Sequence, residues 1–219
     1  EIVIFDHKGS NTIEYAGAKK SQTVLSLADA DIVILALDPT RLLSLSGPML
    51  GDSDFLLEQE GYAKLVKDLF MVLEKIRPDK IRYYAVCITK ADQINDSIYR
   101  SPHGLIQYYF GEEMTKALQI PDKERVRVFT TSSMGFIINS DWLQMESNYD
   151  AATGSLRDDG KWEPYHVEFP LFWAFEQIEL SSLEKNVSKS WWKKLTIKRQ
   201  LKKYIHYPEE IFIEPKNAT

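Results

Sequence analysis

The sequence predicts a doubly wound α/β fold: a mainly parallel sheet with helices on both faces. Three observations carry that expectation. Ile32-Val33-Ile34-Leu35-Ala36-Leu37 and Tyr83-Tyr84-Ala85-Val86-Cys87-Ile88 are nearly continuous apolar runs, the pattern of strands covered on both faces. Stretches with apolar residues at helical spacing lie between such runs. Strand and helix then alternate along most of the chain, which is how parallel sheets are built.

The elements follow in order. Glu1-Ile2-Val3-Ile4-Phe5 reads as a short strand, and residues 12–29 as a helix with Ile13, Ala16, Val24, Leu27 and Ala28 inward. The strand 32–37 ends at Asp38-Pro39-Thr40. Residues 42–60, with Gly47-Pro48 and Gly51, read as an insertion or a loop with a short helix. Residues 61–77 give the clearest helix, with Tyr62, Leu65, Val66, Leu69, Phe70, Leu73 and Ile76 on one face and Arg77-Pro78 as its stop. The strand 83–88, a helix over 105–118 and a strand over 125–130 come next. Residues 139–163 mix Asn, Asp, Ser and Gly with two tryptophans and read as a long insertion with the composition of a mobile loop. An apolar helix over 171–183 follows Pro170 and closes a domain expected to span 1–184.

Composition narrows the classes. A hydrophobic content of 44% supports a sizeable core, and no run is long enough to span a membrane. Cys87 is the single cysteine, so an internal disulfide is excluded. It reads as a small core residue rather than a nucleophile. The four histidines have no metal-ligand spacing with one another or with Cys87. With no secretory leader pattern, a cytoplasmic setting is expected. The net charge of −5 hides an asymmetry. Residues 185–203 hold eight Lys or Arg and no acid, leaving 19 basic against 32 acidic residues elsewhere, a balance of −13. The 185–219 segment, with Trp191-Trp192 among its lysines, reads as a basic amphipathic tail or linker. It suits an anionic membrane surface, a nucleic-acid backbone or a solvated connection to a further domain.

Three short motifs carry chemistry. Thr89-Lys90-Ala91-Asp92 follows the strand 83–88. An aspartate there can accept hydrogen bonds from the imino and exocyclic amino groups of guanine, a pair of donors that no other common base presents. Asp6-His7-Lys8-Gly9 follows the strand 1–5, and a glycine lets backbone approach a phosphate closely. Thr131-Ser132-Ser133-Met134-Gly135 follows the strand 125–130. Each motif alone is a polar turn after a strand. Together they lie at the carboxyl ends of strands, where open α/β sheets bind ligands.

In that order the motifs resemble those of P-loop GTPases. The insertions and the Trp173-bearing helix after Pro170 look similar to the G domains of translation-factor-class and large, insertion-rich bacterial members. The resemblance implies a guanine-nucleotide-binding switch domain that takes GTP and GDP with Mg2+. Thr89, Lys90, Asp92, Ser132 and Ser133 would hold the base. Asp6 would hold the magnesium through water, and Gly9 would meet the γ-phosphate. Ser10 stands where many members place the residue that orients the attacking water, with His7 as a substitute, so hydrolysis is expected to be slow or partner-stimulated. A protein effector is implied.

The phosphate loop itself, Gly-x-x-x-x-Gly-Lys-Ser/Thr, occurs nowhere in the chain. In this fold its strand sits centrally, between the strands at 2–5 and 32–37. Without it their ladder groups go unpaired, at about 1–3 kcal/mol for each buried group. The expectation is that an amino-terminal segment or a second chain completes the sheet. The alternative is a rearranged pseudo-GTPase that serves as an interaction scaffold and binds no nucleotide.

Overall fold

The computed structural model describes residues 27–40, 42, 53–94, 101–139, 144–157 and 161–186. The expected strand at 2–5, most of the helix at 12–29 and the tail beyond residue 186 lie outside them. The described residues form a mixed α/β structure around a three-stranded parallel sheet of order β1-β2-β3. These strands are β1 (Ile32–Leu37), β2 (Tyr83–Ile88) and β3 (Val126–Thr130). The register pairs Leu37 with Ile88 and Ile88 with Thr130. One rung therefore brings all three carboxyl ends to a single edge.

Alternation along the strands separates two apolar layers. Tyr84, Val86 and Ile88 join Val33, Leu37 and Val128 on one face. They pack there on α1 (Ser53–Ile76) through Ala63, Val66, Phe70 and Leu73. On the other face Ala85, Cys87 and Phe129 meet Trp173 and Ala174 of α4 (Phe169–Asn186). The Trp173 ring stands edge-on to Phe129, with centroids 5.9 Å apart. Tyr84, Val86 and Ile88 are fully buried, and each such side chain contributes about 1.5–3 kcal/mol of transfer free energy.

Several element boundaries differ from the sequence expectation. α1 begins at Ser53 rather than 61 and takes in the last turns of the proposed 42–60 insertion. Gly61, the first residue of the expected helix, lies inside it, where a Cβ would meet nothing within 4 Å. Phe55, buried at 2% exposure, anchors the added turns. The single helix expected over 105–118 is broken. It consists of α2 (Pro102–Leu105), a π-helical turn (Ile106–Phe110) and α3 (Gly111–Ala117). Ser101 caps α2 by accepting from the Gly104 N–H at 3.1 Å. Gly111 at φ +78° marks the break, a conformation that glycine adopts without strain. Gln59 steadies it by donating to the Tyr109 carbonyl at 2.8 Å.

Part of the described 139–163 span is paired. β4 (Phe136–Asn139) and β5 (Gln144–Ser147) form an antiparallel hairpin, and β6 (Tyr149–Asp150) pairs with β7 (Ser155–Leu156). At the amino edge of the sheet, the fully buried Arg82 donates to the carbonyls of Ala28 (3.1 and 2.5 Å) and Leu73 (2.9 Å). Glu74 accepts both guanidinium nitrogens of Arg125, at 3.1 and 2.8 Å, and the Tyr84 hydroxyl at 2.7 Å. Among the described residues no helix is long and apolar enough to cross a membrane.

Candidate functional site

The turns leaving β1, β2 and β3 lie side by side because the register ends all three strands on one rung. Main-chain bonds lock them together. Thr89 donates its N–H (2.9 Å) and its hydroxyl (3.1 Å) to the Leu37 carbonyl. Thr131 N–H donates to Ile88 at 2.8 Å, and Ala91 N–H to Thr131 at 3.0 Å. Lys90 adopts a left-handed backbone at φ 53°, which folds the chain into the short 3-10 turn Ala91–Gln93 and swings Asp92 inward. Asp38 closes a local turn by accepting from Thr40 N–H (2.9 Å) and its hydroxyl (2.6 Å), as aspartate commonly does after a strand. Lys90 Nζ reaches across to Asp38 Oδ2 at 2.7 Å. Burial raises the Asp38 pKa, but Lys90 and Thr40 outweigh it and hold the carboxyl below its ordinary value.

Asp92 is the centre of this edge, only 8% exposed. Ser132 Oγ donates to its Oδ1, and Ser147 Oγ donates to its Oδ2 at 2.5 Å. Backbone donors fix the polarity of both bonds. A hydroxyl has one proton and two acceptor sites. Ser132 Oγ accepts from Met134 N–H (3.2 Å) and Gly135 N–H (2.8 Å), so its proton is left for Asp92. Ser147 Oγ accepts from Tyr149 N–H at 3.0 Å, with the same consequence. Asp92 is thus held as an acceptor on both oxygens.

The residues after β3 clasp this arrangement. Asn148, buried at 2% exposure, donates to the carbonyls of Lys161 (2.9 Å) and Met134 (3.4 Å), and its N–H donates to Gly135. Tyr165 and Ser132 exchange two main-chain bonds of 2.7 and 2.9 Å. Trp162 donates its indole N–H to the Ser133 carbonyl at 2.5 Å and remains 64% exposed. It presents an apolar ring beside the turn. His166 stacks between Tyr165 and Phe169, and burial lowers its pKa although Glu168 opposes the shift.

The structure therefore brings Thr89, Lys90, Asp92, Ser132 and Ser133 to one edge. Asp6, His7 and Gly9 lie outside the described residues. Two details shape what this edge offers a ligand. The Met134 and Gly135 N–H groups are directed at Ser132 Oγ, and the Lys90 ammonium is paired with Asp38. Sequence reasoning missed Ser147, Asn148 and Trp162, because a serine within a polar insertion has no spacing that ties it to a turn 55 residues earlier. Asp38 was read only as part of the segment that ends β1, although Asp-Pro-Thr after a strand is a signal for an aspartate-capped turn.

The acceptor set left to a ligand is limited. A carboxylate has about four lone-pair positions, and two are taken here. Two acceptor positions remain, on a side chain that is largely buried. Cys87 is buried, which pushes its thiol up to about 12 and makes it inert at neutral pH. Among the described residues no group of three or more His, Cys, Asp or Glu side chains is arranged to hold a metal ion. Comparison with known proteins found no matching family model, no matching curated protein and no matching solved structure.

Proposed function

We propose that the chain is a guanine-nucleotide-binding domain of the doubly wound, G-domain-like kind, in which Asp92 reads the base. One observation supports this best: an acceptor-only carboxylate, fixed by Ser132 at the carboxyl edge of a parallel sheet. Guanine offers N1–H and N2–H side by side to such a group. Adenine would leave buried acceptors unmatched, and sites of this kind reject such mismatches strongly. The base end fits GTP or GDP. In this reading Asp6, through water, and Gly9 attend the magnesium and the γ-phosphate. This sequence holds no phosphate-loop pattern, so a segment not in it or a second chain supplies the phosphate cradle, and Ser10 leaves hydrolysis slow or dependent on a partner.

Titration with a fluorescent guanine nucleotide, with and without magnesium, tests the reading. Asp92→Asn is expected to weaken binding by about 10- to 100-fold, the worth of a lost charge-assisted bond, and to admit xanthosine triphosphate. Unchanged guanine affinity in that variant removes the base-recognition assignment.

A second reading, a scaffold that binds no nucleotide, is favoured by a different observation. Asp92 and Lys90 are already satisfied within the chain, by two serines and by Asp38. It predicts no saturable nucleotide binding under any magnesium condition.

A further inference from the structure

We propose that Ser147 is a positioning residue for Asp92, supplied by the β4–β5 hairpin and setting how sharply the carboxylate distinguishes bases. This inference rests on the assignment of Asp92 to base recognition. The terminal torsion of an aspartate is broad and roughly two-fold. A carboxylate held through one oxygen therefore swivels about that bond. Ser132 alone would leave Asp92 in that condition. Ser147 grips the second oxygen at 2.5 Å from a separate element, and two anchors from two elements fix the plane.

Ser147 is itself well fixed. Its hydroxyl accepts the Tyr149 N–H at 3.0 Å. Its neighbour Asn148 is buried and tied to Met134, Gly135 and Lys161. The hydroxyl proton is thus aimed at Asp92 by a backbone donor, with no alternative orientation needed. Plane control matters for one kind of ligand in particular. A pair of adjacent N–H donors must lie in the carboxylate plane to be read together, and bidentate contacts gain specificity from that geometry. A swivelling carboxylate still takes one donor and reads the second poorly. Ser147 therefore governs recognition of the guanine 2-amino group more than overall affinity.

The measurement compares guanosine diphosphate with inosine diphosphate, which lacks only the 2-amino group, on the full-length protein by calorimetry or fluorescence. The wild type is expected to prefer guanosine by about tenfold or more, the worth of one charge-assisted bond. Ser147→Ala is expected to reduce that preference to about twofold, and Ser147→Thr to restore it. Ser147→Cys, which keeps the side chain's size but is a weaker donor, stands in if the alanine variant folds poorly, with the same reduced preference expected. A purely structural role would change affinity for both nucleotides together and leave the ratio alone. A wild-type ratio in the alanine or cysteine variant overturns the role of Ser147 while sparing the base-reading assignment. A wild type that binds neither nucleotide, or both equally, overturns that assignment and this inference with it.

Discussion

Asp92 owes its position to small residues around it. Ser132 collects two backbone N–H groups and passes its own proton to the carboxylate. That turn closes only because Gly135 sits at φ +78° with its α-carbon against the Glu163 backbone. A Cβ at Gly135 would lie 1.9 Å from the Glu163 carbonyl oxygen, so the chain must move to admit it. Gly135→Ala is expected to lose about 2 kcal/mol or more in urea unfolding, from left-handed strain and displaced backbone together. Gly154 has a similar φ of +69° with open space around it. Its alanine variant should lose only the strain, about 1–2 kcal/mol. Equal losses at the two positions would contradict the crowding argument. The Thr-Lys-Ala-Asp and Thr-Ser-Ser motifs were legible as residues. The glycine's close approach to Glu163 was not, because it arises between segments nearly 30 positions apart.

At the scale of elements, strands and helices were read well where their periodicity is strong and less well where glycine interrupts it. Gly61 and Gly111 are alike in sequence, yet one is absorbed into α1 and the other breaks the helical run. The difference is tertiary: Gln59 bonds the Tyr109 carbonyl beside Gly111, while nothing crowds Gly61. α1 also carries a charge network at the amino edge of the sheet. Burial raises the Glu74 pKa, but Arg125, Tyr84 and Arg82 outweigh that and hold the carboxyl below its ordinary value. The native state thus releases this proton more readily than the unfolded chain does. The stability Glu74 contributes is complete above the ordinary carboxylate range and is lost as pH falls through the lower native value. Glu74→Gln should cost about 1.5–3 kcal/mol near neutral pH, since it removes the charged acceptor of both Arg125 guanidinium nitrogens. The variant's unfolding free energy should also depend less steeply on acid pH than the wild type's. Parallel acid profiles would remove the network from the account.

At the scale of the whole molecule, the edge turns and the residues after β3 form one cooperating unit. Ser147, Asn148, Trp162 and Tyr165 all return to the turns that leave β2 and β3. A ligand seated at Asp92 should therefore stabilise the fold globally. At a hundredfold excess over its dissociation constant it adds about 2.7 kcal/mol. A domain of this size shifts its melting midpoint by about 2–4 °C per kcal/mol, so GDP is expected to raise the midpoint by about 5–10 °C. At the same GDP concentration Asp92→Asn should keep about half of that rise or less, as its 10- to 100-fold weaker binding dictates. A shift of equal size in the variant would place the nucleotide somewhere other than Asp92.

The sequence by itself determined the parallel strands, their apolar faces and the polar turns at their ends. Those features follow from local periodicity and from residue chemistry next to each strand. Only the tertiary structure decided the register that sets Leu37, Ile88 and Thr130 on one rung, and the return of Ser147 to the carboxylate of Asp92. Both depend on chain segments brought together over 40 to 55 positions, where packing and hydrogen-bond satisfaction select the partner and no sequence spacing records the choice.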